Sequence, residues 1–114
     1  MSGISTHVLD TARGRAASGV PVALEILGDG GTWRALGRGE TDADGRFKGL
    51  LPSGTALAVG EYRLTFATKA YFEATGEKGF YPEVVVRFEV RDAGQHHHVP
   101  LLLSPFGYST YRGT

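Results

Sequence analysis

The sequence contains no cysteine, no excess of charge of either sign and no hydrophobic run of membrane-spanning length. The absence of cysteine excludes disulfides, thiolate zinc sites and a cysteine nucleophile. Twelve basic residues balance twelve acidic ones, which disfavours nucleic-acid binding because phosphate recognition normally requires a basic excess. Residues 1–4 lead into the folded pattern without a basic, apolar leader. We therefore expect a cytoplasmic protein with no nucleic-acid or membrane partner.

The length of 114 residues fits one domain, 1–114, with a modest core, and oligomerisation would be a natural source of extra stability. Seventeen glycines and five prolines are spread along the chain rather than clustered. They predict many turns between short elements and no linker.

Alternation of apolar and polar residues with a period of two predicts about eight short strands. The clearest runs are 20–26, 61–66, 84–90 and 97–103, and shorter candidates are 4–9, 32–36, 46–50 and 106–111. The segment 68–75 breaks the alternation and predicts the one short helix, with Thr68 as its N-cap and Gly76 as its stop. This pattern is typical of an all-β sandwich or barrel.

The motif at 41–46 carries the first candidate functional residue. Its Asp42 and Asp44 resemble the start of a calcium loop, but the later acidic ligands are missing. Asp-Gly between two strands is typical of a hairpin turn, which we predict at Asp44-Gly45. Arg46 follows this turn, either as a solvated strand residue or as a planar donor fork for an anionic or carbonyl-bearing ligand.

The alternation also predicts which way the candidate polar residues point. Val8, Phe47 and Val99 fall on apolar faces, so His7, Arg46 and His98 each point away from the core. The outer face of a sandwich is normally wet and holds a substrate poorly. Another subunit would have to cover that face to make a pocket.

The run of three histidines at 96–98 leaves several interpretations open. His96 and His98 share a face and could bind zinc or copper with His7 as a third ligand, but no carboxylate accompanies them at metal-site spacing. Metal-free acid–base catalysis requires a neutral imidazole and a group that orients it. Ordinary surface or core histidines are equally compatible with the run.

Three stretches of the sequence are read together. They are Ser-Thr-His-Val-Leu-Asp at 5–10 with Gly14, Thr-Asp-Ala-Asp-Gly-Arg at 41–46, and the block that runs from His-His-His-Val-Pro-Leu-Leu-Leu at 96–103 to Tyr-Arg-Gly-Thr at 111–114. Together they resemble the 5-hydroxyisourate hydrolases of the transthyretin-like family. The resemblance implies a transthyretin-like β-sandwich of two four-stranded sheets with one short helix. It also implies a homotetramer with active sites at the dimer–dimer interface.

The reaction that the resemblance implies is hydrolysis of a ring amide in 5-hydroxyisourate, without cofactor or metal, in urate breakdown. His7, Arg46, His98 and Thr114 are the implied catalytic residues, and Tyr111 and Arg112 the implied substrate-binding residues. Thr114 departs from the usual serine of the family but keeps a hydroxyl group. The alternatives are a transthyretin-type carrier, whose channel would be apolar, and a structural β-sandwich without a site.

Overall fold

Nine β-strands and one α-helix make up the fold of residues 3–114, the part of the chain that the computed structural model describes. In chain order the strands are β1 (Gly3–Asp10), β2 (Arg15–Ala16), β3 (Pro21–Leu27), β4 (Trp33–Glu40), β5 (Arg46–Phe47), β6 (Gly60–Phe66), β7 (Val84–Val90), β8 (His96–Ser104) and β9 (Gly107–Thr110), and helix α1 (Thr68–Thr75) joins β6 to β7. One turn of 3-10 helix, Asp29–Gly31, lies between β3 and β4. The expectation that no leader precedes the fold concerned residues 1–4, and residues 1 and 2 lie outside the described residues.

The strands form two sheets. The first sheet has the order β2-β1-β8-β9, with β5 also paired to β1, and the second has the order β4-β3-β6-β7. Only β1 and β8 run parallel among these described pairs. The expected all-β sandwich with one short helix is therefore confirmed. The first sheet has five strands rather than the expected four because β2 and β5 pair with different halves of β1. Strand β2 was not predicted because two residues are too few to show an alternation of apolar and polar residues.

The core lies between the two sheets because alternate residues of each long strand point inward. In β1 and β3 every second residue is buried. Val8, Leu24, Leu64 and Leu101 are completely inaccessible to solvent. The opposite residues of β1 and β8 are left on the outer face of the first sheet, where the histidines lie.

Helix α1 has the predicted bounds and ends at Gly76 as predicted, in the left-handed conformation with φ of 78°. The predicted N-cap is wrong. Ala67 occupies that position without a side-chain cap, and Thr68 is buried and donates its hydroxyl to the carbonyl of Tyr81 at 2.8 Å. No helix within residues 3–114 has the length and apolar character needed to cross a membrane.

The predicted hairpin at Asp44-Gly45 is also wrong. Strand β4 pairs with β3 in the second sheet and β5 pairs with β1 in the first, so the turn carries the chain from one sheet to the other. Strand β5 ends at Phe47 instead of extending to 50, and Phe47 packs against the core. An Asp-Gly turn has the same local form in either setting, and nothing local specifies the partner of the next strand.

Candidate active site

His7 on β1 and Arg46 on β5 are direct cross-strand partners in the first sheet. Thr6 and Phe47 form the next pair along the same two strands. Thr6 is buried and Phe47 packs on the core, so the alternation turns His7 and Arg46 to the outer face. His7 is half-buried and Arg46 is exposed. Their outward placement was predicted and is confirmed.

The turn before β5 fixes the position of Arg46. The carboxylate of Asp42 accepts hydrogen bonds from the backbone N–H groups of Asp44 at 2.9 Å and Arg46 at 3.0 Å. The bond from the Arg46 backbone lowers the pKa of the Asp42 carboxyl, which favours the ionised acceptor. Gly45 has φ of 76°, and a Cβ there would collide with the carbonyl oxygen of Val8. Glycine thus lets the turn pass directly against β1.

His98 lies on β8, on the opposite side of β1 from Arg46. In the parallel pairing of β1 and β8, Ser5 is opposite His98 and His7 is opposite Pro100, so the two histidines are diagonal neighbours. His98 is half-buried and faces outward, as predicted. One face of the first sheet therefore carries His7, Arg46 and His98, on the neighbouring strands β1, β5 and β8.

Ser5 makes a contact that the sequence analysis missed. Its Oγ lies 2.8 Å from Nδ1 of His98 and 2.8 Å from Nε2 of the exposed His96. The alternation of β1 already places Ser5 on the same face as His7, two residues further along. Only the pairing of β1 with β8 puts its hydroxyl between two histidines.

The C-terminal residues return to His98. The backbone N–H of Gly113 donates to the carbonyl oxygen of His98 at 2.8 Å, and a Cβ on Gly113 would lie 2.6 Å from Cδ2 of the His98 ring. The ring therefore has Ser5 at its Nδ1 edge and Gly113 at its Cδ2 edge. Nε2 lies between Cε1 and Cδ2 in the ring, and the Ser5 contact does not occupy it. Thr114 follows Gly113 and is exposed.

The protonation of His98 responds to its surroundings. Burial, followed by the charges of His7 and His96, lowers the pKa of the His98 imidazole below its ordinary value. At neutral pH the ring is thus largely uncharged, and an uncharged imidazole has one nitrogen that donates and one that accepts. Arg46 adds a permanent positive charge and a planar set of donors to the same face. This combination is suited to polarise a carbonyl group and to move a proton.

The side chains of Tyr111 and Arg112 share a groove whose lining does not include His7, Arg46 or His98. Both line this groove, of about 280 Å³, at the edge of the sandwich, with Phe88 of β7 and the buried His97. The guanidinium of Arg112 donates to the side-chain oxygen of Gln95 at 3.0 Å. The same guanidinium also donates to the backbone carbonyl oxygen of His96 at 3.4 Å. The role of Tyr111 and Arg112 in substrate binding stays a prediction.

Within one chain the outer face of the first sheet is not enclosed. A larger groove, of about 590 Å³, lies on the second sheet, between residues such as Glu25, Arg38 and Arg63. In the described part of the chain, no three His, Cys, Asp or Glu side chains are grouped so as to hold a metal ion. The metal-free nature of the site stays a prediction from the sequence.

Comparisons with known proteins place the chain in a family. A model of the HIUase/Transthyretin family matches residues 4–113. The chain belongs to this family. It is similar to the protein named 5-hydroxyisourate hydrolase from Salmonella typhimurium, with 49% identity over 111 residues, which are 97% of this chain and 80% of that protein.

Solved structures of the family share the fold. The structure of Klebsiella pneumoniae 5-hydroxyisourate hydrolase matches with a TM-score of 0.84 and 36% identity over 100% of both chains. Sea bream transthyretin in complex with thyroxine matches with a TM-score of 0.90 and 30% identity, over 97% of this chain and 94% of that one. The expected transthyretin-like fold is confirmed. Because these neighbours include a hydrolase and a thyroxine complex, the fold alone does not choose between catalysis and carriage.

Proposed function

We propose that this chain hydrolyses 5-hydroxyisourate to 2-oxo-4-hydroxy-4-carboxy-5-ureidoimidazoline in urate degradation, a part of purine metabolism. The observation that carries the proposal is the cluster of His7, Arg46 and His98 on one outer face of the first sheet. The 49% identity to a protein named for this reaction supports the same conclusion. Cofactor-free chemistry in one domain, 1–114, and a cytoplasmic location remain predictions from the sequence.

The mechanism we propose uses water as the nucleophile. His7 or His98 takes a proton from water, and the resulting hydroxide adds to a carbonyl carbon of the ring. Arg46 donates hydrogen bonds to the carbonyl oxygen as it becomes negative. The ring C–N bond then breaks, and the departing nitrogen receives the proton held by the base. Tyr111, Arg112 and Thr114 position the substrate or water, with part of this set reaching the cluster only in an assembled protein.

The proposed assembly is a homotetramer with the site at the interface between two dimers. The outer face of the first sheet is open in one chain, and water would weaken each charge interaction there. Strand β9 is an edge strand with exposed aromatic residues in it and beside it, since Tyr108 is 43%, Phe106 is 76% and Tyr111 is 55% accessible. Burial of such residues against a symmetry mate would stabilise an oligomer.

A transthyretin-type carrier is the competing function, because one structural neighbour was solved with thyroxine. A carrier for an apolar ligand requires an apolar lining with few polar groups. The outer face of the first sheet instead presents Ser5, His7, Arg46 and His98. This polar lining favours catalysis.

The deciding experiment follows the ultraviolet decay of 5-hydroxyisourate freshly generated from urate, with and without the protein. Because the substrate also decays spontaneously, the expected result is acceleration in proportion to protein concentration. His7→Asn and His98→Asn should each lower kcat/KM by about 10² or more, the usual scale for losing a catalytic imidazole. Decay at the uncatalysed rate with the intact protein would refute the proposed activity.

The assembly has its own test, which does not depend on the reaction chosen. Light scattering should report a tetramer, and specific activity should fall when dilution separates the dimers. Deletion of residues 111–114 should reduce both activity and assembly. A fully active monomer would refute the interface site and leave the hydrolase proposal standing.

A further inference from the structure

A single hydroxyl group lies between two imidazole rings on the outer face of the first sheet. The Oγ of Ser5 is 2.8 Å from Nδ1 of His98 and 2.8 Å from Nε2 of His96. A hydroxyl has one proton, so it can donate to one of these nitrogens, and the other nitrogen must donate to it if both contacts are hydrogen bonds. The hydroxyl therefore couples the tautomer of His98 to the protonation of His96.

The exposure of His96 favours one direction for this chain of hydrogen bonds. His96 is exposed to solvent, whereas His98 is half-buried. A protonated imidazole carries hydrogen on both nitrogens and can only donate, so the arrangement in which His96 donates to Ser5 is compatible with both charge states of His96. Ser5 then donates to Nδ1 of His98, and the remaining proton of neutral His98 is on Nε2.

We propose that Ser5 is a positioning residue that holds His98 in its Nε2–H tautomer, with His96 as the partner that fixes the direction of the Ser5 hydroxyl. Because Ser5 contacts Nδ1, Nε2 is the ring nitrogen left to face a substrate. This inference rests on the proposed hydrolysis and deepens it, because it separates the roles of the two candidate histidines.

The role assigned to His98 is that of a neutral hydrogen-bond donor on the same sheet face as Arg46. Its Nε2–H and the guanidinium together stabilise the negative charge that develops on the attacked carbonyl oxygen. His7 is then the base. It takes the proton from water, and it returns that proton to the ring nitrogen when the C–N bond breaks, so no proton is gained or lost by His98.

The test uses two substitutions of similar size at His96. In His96→Gln the side-chain amide can still donate to Ser5. In His96→Glu the carboxylate can only accept, so Ser5 must donate to it and His98 must donate from Nδ1. Nitrogen-15 NMR of histidine-labelled protein, at a pH where the rings are neutral, reports which nitrogen of His98 is protonated, and the His98→Asn variant identifies its signals. We expect Nε2–H in the intact protein and the Gln variant, and Nδ1–H in the Glu variant.

The role of the Ser5 hydroxyl is tested by combining His96→Gln and His96→Glu with a substitution at Ser5, either Ser5→Ala or Ser5→Thr. In Ser5→Ala the Gln and Glu variants should have the same His98 tautomer, because the link is missing. In Ser5→Thr, which keeps the hydroxyl, the difference between the pair should return. With Ser5 present, kcat/KM of the Glu variant should be below that of the Gln variant by about tenfold or more, a scale typical of losing the partner that orients a functional imidazole.

Two outcomes would overturn the proposal. One is the same His98 tautomer in the Gln and Glu variants, and the other is a difference between them that persists in Ser5→Ala. Because the NMR measurement uses no substrate, its failure is distinguishable from failure of the proposed function. A tautomer that switches as expected in a protein without hydrolase activity would support the positioning role and refute only the reaction.

Discussion

His7 and Arg46 face each other as a cross-strand pair in which both side chains lie on the outer side of the first sheet. Arg46→Lys keeps the positive charge of this pair but loses the two parallel donors of the guanidinium. We expect kcat/KM for 5-hydroxyisourate to fall roughly 10²-fold, the scale for losing one donor to a developing oxyanion. Arg38→Lys, on the second sheet, is the matched control and should leave the rate unchanged. Equal rates in both variants would show that Arg46 contributes only its charge.

Gly113 should be sensitive to substitution, although it has no side chain. In Gly113→Ala the new methyl group would lie 2.6 Å from Cδ2 of His98, which is closer than packed atoms approach, so the ring and the chain at residue 113 must move apart. We expect kcat/KM to fall by about tenfold or more, since small displacements of a catalytic group are costly. Gly49→Ala, which meets Phe47 at an ordinary 3.7 Å, is the control. Unchanged kinetics in Gly113→Ala would mean that the position of the His98 ring is not critical.

The hydrogen bond between Tyr71 of helix α1 and Asp10 of strand β1 predicts a variant that is less stable but equally active. The hydroxyl of Tyr71 donates to the carboxylate of Asp10 at 2.6 Å, and Asp10 is 2% accessible. Burial, assisted by Asp10, raises the pKa of Tyr71 to about 12, so the donor keeps its proton. Tyr71→Phe removes a donor from a buried carboxylate and should cost about 1–3 kcal/mol of unfolding free energy. Urea unfolding measures this, with Tyr81→Phe as the exposed control.

Ordinary surface substitutions change the unfolding free energy by up to about 0.5 kcal/mol. A loss smaller than this in Tyr71→Phe would contradict a stabilising role for the hydrogen bond between Tyr71 and Asp10. Activity per folded molecule should stay at the unmodified level because Asp10 points into the core, away from the outer face. A Tyr71→Phe variant with full stability and low activity would contradict the prediction that Tyr71 affects stability and not activity.

The buried His97 predicts how stability depends on pH. Burial lowers the pKa of His97 below its ordinary value, and its Nδ1 has no hydrogen-bond partner among the described residues. The unfolded chain therefore takes up a proton near pH 6.5, whereas the folded chain does so only at lower pH. The stabilising contribution of neutral His97 is present above about pH 6.5 and is lost as the pH falls further.

The measurement is the unfolding free energy in urea at several values between about pH 8 and pH 5. The intact protein should lose stability over this range more steeply than His97→Leu, which has no titrating group at that position. The lowered pKa of His98 acts in the same direction in both proteins and so cancels in the comparison. If the unfolding free energies of the intact protein and His97→Leu fall in parallel with pH, His97 does not titrate differently in the folded and unfolded chains.

The sequence by itself determined which side chains lie on the outer face of the sheet. Successive side chains of a strand point to opposite sides, so one buried neighbour is enough to place His7, Arg46 and His98. The same local reasoning placed helix α1 at 68–75, because the alternation stops there and Gly76 can adopt the left-handed conformation that ends a helix. The match of residues 4–113 to the family agrees with what the motifs indicated.

Only the tertiary structure decided which strands are neighbours. Ser5 and His98 are 93 positions apart, and their contact depends on the parallel pairing of β1 with β8, which is specified by how both strands pack on the core. For the same reason the Asp44-Gly45 turn was predicted as a hairpin but joins two sheets. The residues of a turn specify only the local conformation of the backbone, whereas burial and hydrogen bonding across the whole chain determine which strands pair.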